Sequence, residues 1–172
     1  VFRQFGQMSN TAPGVDGLTY ATWRWVDPKG VILADVYNIC RTNARVPSAW
    51  KHSTVTLLHK GGEPAELNNW RTISLQLTVY KFYATIIAKR IASWATATSS
   101  FSPAQKGFLA YNGCAEHNFL LPSIVGDSRK EKRNILLAWL DIKDAFPSVS
   151  HHLMLCLMER LRGPKSVLRV VE

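Results

Sequence analysis

The sequence has no apolar run near the ~18 residues that a bilayer span requires, because Lys, Arg, Asn or Asp interrupts every hydrophobic stretch. A transmembrane helix is thereby excluded. Only three cysteines are present, Cys40, Cys114 and Cys156, too scattered for a disulfide framework or for the paired spacing of a zinc site. That usage suits a reducing compartment, nuclear or cytoplasmic. The opening VFRQFGQMSN lacks the basic, apolar, small-residue order of a secretory signal and reads as the middle of a longer chain. Internal repeats and low-complexity segments are missing as well. Acidic residues are scarce: 12 Asp and Glu face 21 Lys and Arg, a formal charge of +9, which favours polyanionic partners and nucleic acid first. What the 172 residues do hold is 47% hydrophobic side chains, enough for one substantial core or two small ones.

Glycine and proline mark the turns. In Ala12-Pro13-Gly14-Val15-Asp16-Gly17, a Pro-Gly and an Asp-Gly pair stand close together, and each favours a sharp reversal, so the opening is a structured loop. After Asp27-Pro28-Lys29-Gly30, apolar residues recur at nearly helical spacing until Pro47, which predicts a helix over 31–44. Residues 53–59 are rich in β-branched types and lead through Lys60 into Gly61-Gly62-Glu63-Pro64, as a strand enters a tight loop. A shorter second strand is expected near residues 71–74. Over 75–94, Tyr80, Tyr83, Ile87, Ile91 and Trp94 fall on one stripe and predict a long amphipathic helix whose aromatics pack a core rather than stack on bases. A Ser-rich break at 96–102, a turn region over 105–114 and a helix over 115–124 follow, and the mixed charges of 127–133 read as a solvated loop.

Residues 134–142 are almost wholly apolar and end in a carboxylate, the pattern of a buried central strand. A loop into a helix is expected over 147–162, with Cys156 a buried thiol on its apolar face and Ser148 or Ser150 as its cap. His151 and His152 are adjacent, about 100° apart on a helix, and are poor partners for one metal. Gly163-Pro164 ends that helix, and the apolar pattern from Val167 has no closing signal, as in a chain cut from a longer one.

Two constellations carry chemistry. Asp141 closes the apolar run, with Asp144, Ala145 and Phe146 just after it. A carboxylate at the end of a buried strand costs several kcal/mol unless a cation relieves it. Mg²⁺ fits that need, because it takes oxygen ligands and is commonly shared between one or two carboxylates and substrate phosphates. Lys60 and Arg71 flank the Gly-Gly-Glu-Pro loop, which puts both cations on one side of a hairpin. Lysine as a point charge and arginine as a planar fork can together clamp a triphosphate. Taken singly, the aspartates are equally compatible with a solvated surface loop, and a Lys and an Arg on a hairpin are more often solvated surface charges.

In order along the chain, Ala12-Pro13-Gly14-Val15-Asp16-Gly17, Trp50-Lys51, Leu57-Leu58-His59-Lys60-Gly61-Gly62, Asn69-Trp70-Arg71-Thr72-Ile73-Ser74-Leu75, Tyr80-Lys81, Gln105-Lys106-Gly107-Phe108 and Leu140-Asp141-Ile142-Lys143-Asp144-Ala145-Phe146 resemble the reverse transcriptases of non-LTR (LINE-type) retrotransposons. The resemblance implies an α+β fragment of the right-hand polymerase fold: helix-rich fingers with a β-hairpin over 1–125, and the first strand and helix of a palm over 126–172. It implies RNA-directed DNA synthesis, in which a primer 3′-hydroxyl is extended with deoxynucleoside triphosphates on an RNA template. Asp141 is then the first metal-binding aspartate, with the Ile142 carbonyl beside it on Mg²⁺. The backbone at Asp144 and Ala145 receives the triphosphate, Phe146 packs under the sugar, and Lys60 and Arg71 match the family's triphosphate-binding cations.

Two departures stand out. Thr72 replaces a common proline, freeing φ and restoring an N–H, which is expected to loosen the strand beside Arg71. The family's downstream paired-aspartate box does not occur within these residues, so this chain alone is expected not to polymerise, since two-metal phosphoryl transfer needs more oxygen ligands. Rival readings are a non-catalytic nucleic-acid-binding remnant and an intron maturase-like RNA-binding protein.

Overall fold

The computed structural model describes residues 8–109, 112–143 and 145–171. In chain order they form α1 (Tyr20–Val26), α2 (Val31–Asn43), a 3-10 turn (Ser48–Lys51), β1 (Ser53–His59), a second 3-10 turn (Leu67–Asn69), β2 (Trp70–Gln76), α3 (Thr78–Ala97), α4 (Gly113–Lys130), α5 (Ala145–Ser148), α6 (His151–Arg160) and α7 (Lys165–Val171). Two compact units result, Val1–Ile91 with Pro164–Glu172, and Ala92–Gly163. Helices with one small antiparallel sheet among the described residues make the α+β class expected of a reverse transcriptase fragment.

In the first unit, the opening loop is fastened to the hairpin's exit. The Gly17 N–H closes a turn onto the Gly14 carbonyl at 3.1 Å. A Cβ at Gly14 would lie 2.7 Å from the Leu77 backbone nitrogen, so only glycine lets the loop sit on the junction of β2 and α3. Lys81 Nζ donates to the Ala12 carbonyl at 2.6 Å, and the fully buried Thr78 hydroxyl donates to the Leu18 carbonyl while accepting from Trp23 Nε1. The helix α1 was not legible in the sequence; it starts where the Thr19 hydroxyl accepts from the Thr22 N–H. Buried Asp27 starts α2 by accepting from the N–H groups of Val31 and Leu33, both at 2.9 Å. One face of α2 then buries Leu33, Tyr37 and Cys40, with Tyr37 against Phe82 and Tyr83 of α3, and α7 packs on α2 with Val167 and Leu168 buried.

The core between α2 and α3 is aromatic. The Tyr37 ring lies 5.1 Å from that of Tyr83 and 6.0 Å from that of Trp50, and its hydroxyl donates to the Val79 carbonyl at 2.8 Å. Burial pushes the Tyr37 hydroxyl well above the ordinary tyrosine range, so it stays a donor, and burial likewise raises the Cys40 thiol. The stripe on α3 is set differently from the periodicity: Phe82, Tyr83, Ile86 and Ile87 are buried, whereas Tyr80, Ile91 and Trp94 are half-buried. Tyr80 packs its ring 6.1 Å from Trp50.

The second unit departs most from expectation. Residues 134–142 form no strand: Leu136 and Leu140 are 95% and 94% exposed. A strand exists only by pairing, and these residues find no partner among the described residues, so an apolar run that reads as buried stays unpaired. The helix expected over 115–124 extends across 113–130 despite Pro122, and absorbs the first half of the charge run. It ends where Lys132 takes φ 53° and the Arg133 N–H returns to the Ser128 carbonyl at 2.9 Å. The expected C-terminal helix divides into α5 and α6. Ser150 occupies the N-cap position of α6 without a side-chain hydrogen bond, and Ser148 Oγ bonds the Ala145 carbonyl instead. Cys156, expected to be buried, is exposed 3.5 Å from His152 Nε2, because the apolar face of α6 is uncovered among the described residues.

Candidate functional site

The hairpin places its two cations by register. Leu58 pairs with Arg71 and His59 with Trp70, and the Lys60 N–H continues the ladder onto the Asn69 carbonyl at 2.7 Å. Lys60 lies two residues beyond Leu58 and therefore on the same face as Arg71, a diagonal neighbour at about 7–8 Å in an antiparallel ladder. Both side chains are exposed. Strand β2 runs unbroken through Thr72, which pairs with Leu57, so Arg71 sits within a continuous ladder and the expected loosening is not seen. β2 also matches β1 in length, seven residues each.

Between the strands, Gly61 and Gly62 take φ of 105° and 87°, which a side chain resists. The loop is tied by the last residue of the second 3-10 turn and the first of β2: Asn69 Nδ2 donates to the Glu63 carbonyl and Trp70 Nε1 to the Pro64 carbonyl, each at 2.9 Å. A Cβ at Gly62 would lie 2.9 Å from Asn69 Nδ2 and push that side chain off the Glu63 carbonyl. The His59 and Trp70 rings meet at 4.8 Å on the opposite face. Lys60 Nζ turns to the Asn68 carbonyl at 3.2 Å. Arg71 takes part in neither ion pair found among the described residues, Lys106–Glu116 and Arg133–Glu131. The bracing role of Asn69 and Trp70 was hidden in the sequence, where they read only as neighbours of Arg71.

The second constellation is exposed. Asp141 Oδ1 accepts from the Ile142 N–H at 3.0 Å, and Ile142 is 69% exposed. Ala145 opens α5, and Asp144 lies outside the described residues. Phe146 is 83% exposed, and its ring meets that of Phe108 edge-on, with centroids 6.4 Å apart and planes at 82°. Phe108 holds φ 60°, an unfavourable region for a bulky residue. The Gln105–Phe108 turn and α5 are thus brought together at one ring contact, which spacing alone did not reveal. Among the described residues no three His, Cys, Asp or Glu converge as a metal site. Asp141 and the Ile142 carbonyl have the oxygen chemistry that Mg²⁺ takes, but they are too few to enclose it, so any ion there would draw further ligands from water, phosphate or other residues.

Residues 58–171 match the family model described as reverse transcriptase (RNA-dependent DNA polymerase). The chain is 29% identical over 152 residues to a Pol polyprotein of a type-1 retrotransposable element R2 from Popillia japonica, covering 88% of this chain and 20% of that protein. It is 28% identical over 161 residues to the RNA-directed DNA polymerase of mobile element jockey from Drosophila melanogaster, covering 92% of the chain and 18% of the relative. To a probable RNA-directed DNA polymerase of transposon X-element, also from Drosophila melanogaster, it is 31% identical over 163 residues, 92% of the chain and 18% of the relative. It therefore spans about a fifth of the length of these curated relatives. With a matched region running from the end of β1 into α7, and so through hairpin, apolar run and Asp141, the chain belongs to the reverse transcriptase (RNA-dependent DNA polymerase) family.

Proposed function

We propose that this chain is the nucleotide-receiving part of a retrotransposon enzyme that copies RNA into DNA, with residues 1–125 acting as fingers and 126–172 as the beginning of a palm. The observation that carries the reading is the hairpin register: it sets Lys60 and Arg71 diagonally on one face of a loop tied by Asn69 and Trp70. In this reading Arg71 bonds two phosphate oxygens of an incoming deoxynucleoside triphosphate through its planar fork, and Lys60 adds a point charge by exchanging its Asn68 carbonyl for phosphate. Asp141 offers its carboxylate, with the Ile142 carbonyl, toward a divalent cation, magnesium. Such a cation would neutralise the triphosphate and lower the pKa of the primer hydroxyl. The backbone at Asp144 and Ala145 receives the triphosphate, and Phe146 lies under its sugar. RNA template and DNA primer are the partners, held by a surface of net charge +9, inside the cell in the nucleus or cytoplasm.

The test is a graft. An active non-LTR reverse transcriptase whose corresponding segment is replaced by this one should extend a primer on an RNA template with deoxynucleoside triphosphates and Mg²⁺. Asp141→Asn should abolish extension while leaving template binding intact. A graft that folds and binds template, yet extends equally well with Asn at position 141, would refute the assignment of Asp141.

A further inference from the structure

The seam between α2 and α3 ends in a cavity that the nucleotide site does not use. Ala34, Tyr37, Asn38 and Arg41 on α2, and Tyr83, Ile86, Ile87 and Arg90 on α3, line it. Each set follows the i, i+3, i+4, i+7 spacing of a single helix stripe, so both stripes end in an arginine seven residues beyond their first member. The cavity holds about 40 Å³, little more than one water's share of liquid volume, roughly 30 Å³.

Its polar groups are mismatched. Tyr37 satisfies its hydroxyl on the Val79 carbonyl, but the Tyr83 hydroxyl is buried with no hydrogen-bond partner, in a residue only 3% exposed. Such an orphan costs free energy unless something accepts its proton. Burial raises the Tyr83 pKa while the charges of Arg90 and Arg41 act on it in the opposite direction, so the hydroxyl keeps its proton in a residue that lines one cavity with both arginines. No acidic residue lines the cavity, both arginines are exposed, and neither ion pair found among the described residues involves them. Two cations and an idle hydroxyl around one small space, with no carboxylate among the lining residues, leave its positive charge without a counter-charge.

We propose that this notch is an oxyanion site: one phosphate group seats at its mouth between Arg41 and Arg90, and one of its oxygens enters to accept from the Tyr83 hydroxyl. The fork geometry of arginine suits such a group, and the cavity has room for one oxygen but not for a base or sugar. The phosphate belongs either to a nucleic-acid strand or to free phosphate. The inference goes beyond the polymerase reading, because it is tested by binding alone, without catalysis.

The experiment titrates the 172-residue chain into a fluorescein-labelled oligo(U) of about 12 nucleotides at several KCl concentrations. Arg41→Gln and Arg90→Gln should each weaken binding roughly fivefold and flatten the slope of log affinity against log salt by about 0.7, the effect of one lost single-strand phosphate contact. The double variant should flatten it no further, since both arginines hold the same phosphate. Tyr83→Phe should weaken binding about threefold at unchanged slope, and Lys89→Gln, on the same helix outside the notch, should change it less than twofold. Displacement of oligo(U) by inorganic phosphate at constant ionic strength, lost in Arg41→Gln, assigns the site to free phosphate; lack of displacement assigns it to the strand. Slope losses that add in the double variant would leave only diffuse charge attraction and overturn the proposal. Unchanged binding by a folded Tyr83→Phe chain would leave a water in the notch and overturn it too; if that variant does not fold, the arginine pair decides alone.

Discussion

Replacing Arg71 by alanine separates a nucleotide clamp from a surface charge. Arg71 is exposed and takes part in neither ion pair among the described residues, so its removal leaves no buried group unsatisfied. Folding stability should change by no more than about 0.5 kcal/mol. Nucleotide binding should suffer much more. A charge-assisted hydrogen-bonding contact is worth about 1.5 to 3 kcal/mol, which is roughly a tenfold to hundredfold rise in the dissociation constant for the incoming nucleotide. Lys60→Ala should cost less, because Lys60 Nζ gives up its bond to the Asn68 carbonyl in order to engage phosphate. Single-nucleotide incorporation in the grafted enzyme, measured over a range of deoxynucleotide concentrations, resolves the dissociation constant from the maximal rate. Equal dissociation constants for wild type and Arg71→Ala, with thermal midpoints unchanged, would refute the clamp. A Lys60→Ala defect larger than that of Arg71→Ala would refute the reasoning from existing partners.

The edge-on contact of Phe108 with Phe146 predicts that both influence sugar choice: Phe146→Val should raise ribonucleotide use relative to deoxyribonucleotide use, and Phe108→Ala should shift the same ratio by a smaller factor, with no further shift when combined with Phe146→Val. Competition between the two nucleotide types in the graft reads this out, and a loss of stability without a change in ratio would make Phe146 plain packing. Asp27→Ala removes the acceptor of two helix N–H groups, and should lower stability by about 2 kcal/mol in a urea titration. Burial raises the hydroxyls of Tyr20, Tyr37 and Tyr83 above their ordinary value of 10.0. The unfolded chain thus loses these protons first, so their contribution is intact below about pH 10 and declines as pH rises above it. Urea midpoints that stay level from pH 9 to about pH 11 would contradict that sign.

Local pattern determined much of this protein. Gly61 and Gly62 after a β-branched run, with Arg71 beyond, were enough to expect a hairpin carrying two cations, because turn chemistry and strand period act over a few residues. The apolar repeat over 31–44 and the long one near 75–94 marked the two helices of the first core for the same reason, with ends displaced by at most three residues. Ordered motifs added the family, which no single stretch carries. Tertiary structure decided the rest. The run at 134–142 has strand composition, yet strand formation needs a partner that composition cannot supply, so Asp141 closes an unpaired, exposed segment. The residues that face inward on α3 were set by the aromatic cluster of Tyr37 and Trp50, which rotates the buried stripe onto Phe82 and Ile86. Asn69 and Trp70 as loop ties, the ring contact of Phe108 with Phe146, and the idle Tyr83 hydroxyl beside two arginines all join residues that are unrelated in spacing or periodicity. Contacts of that kind depend on where a folded chain returns to itself, which is why only the three-dimensional structure displays them.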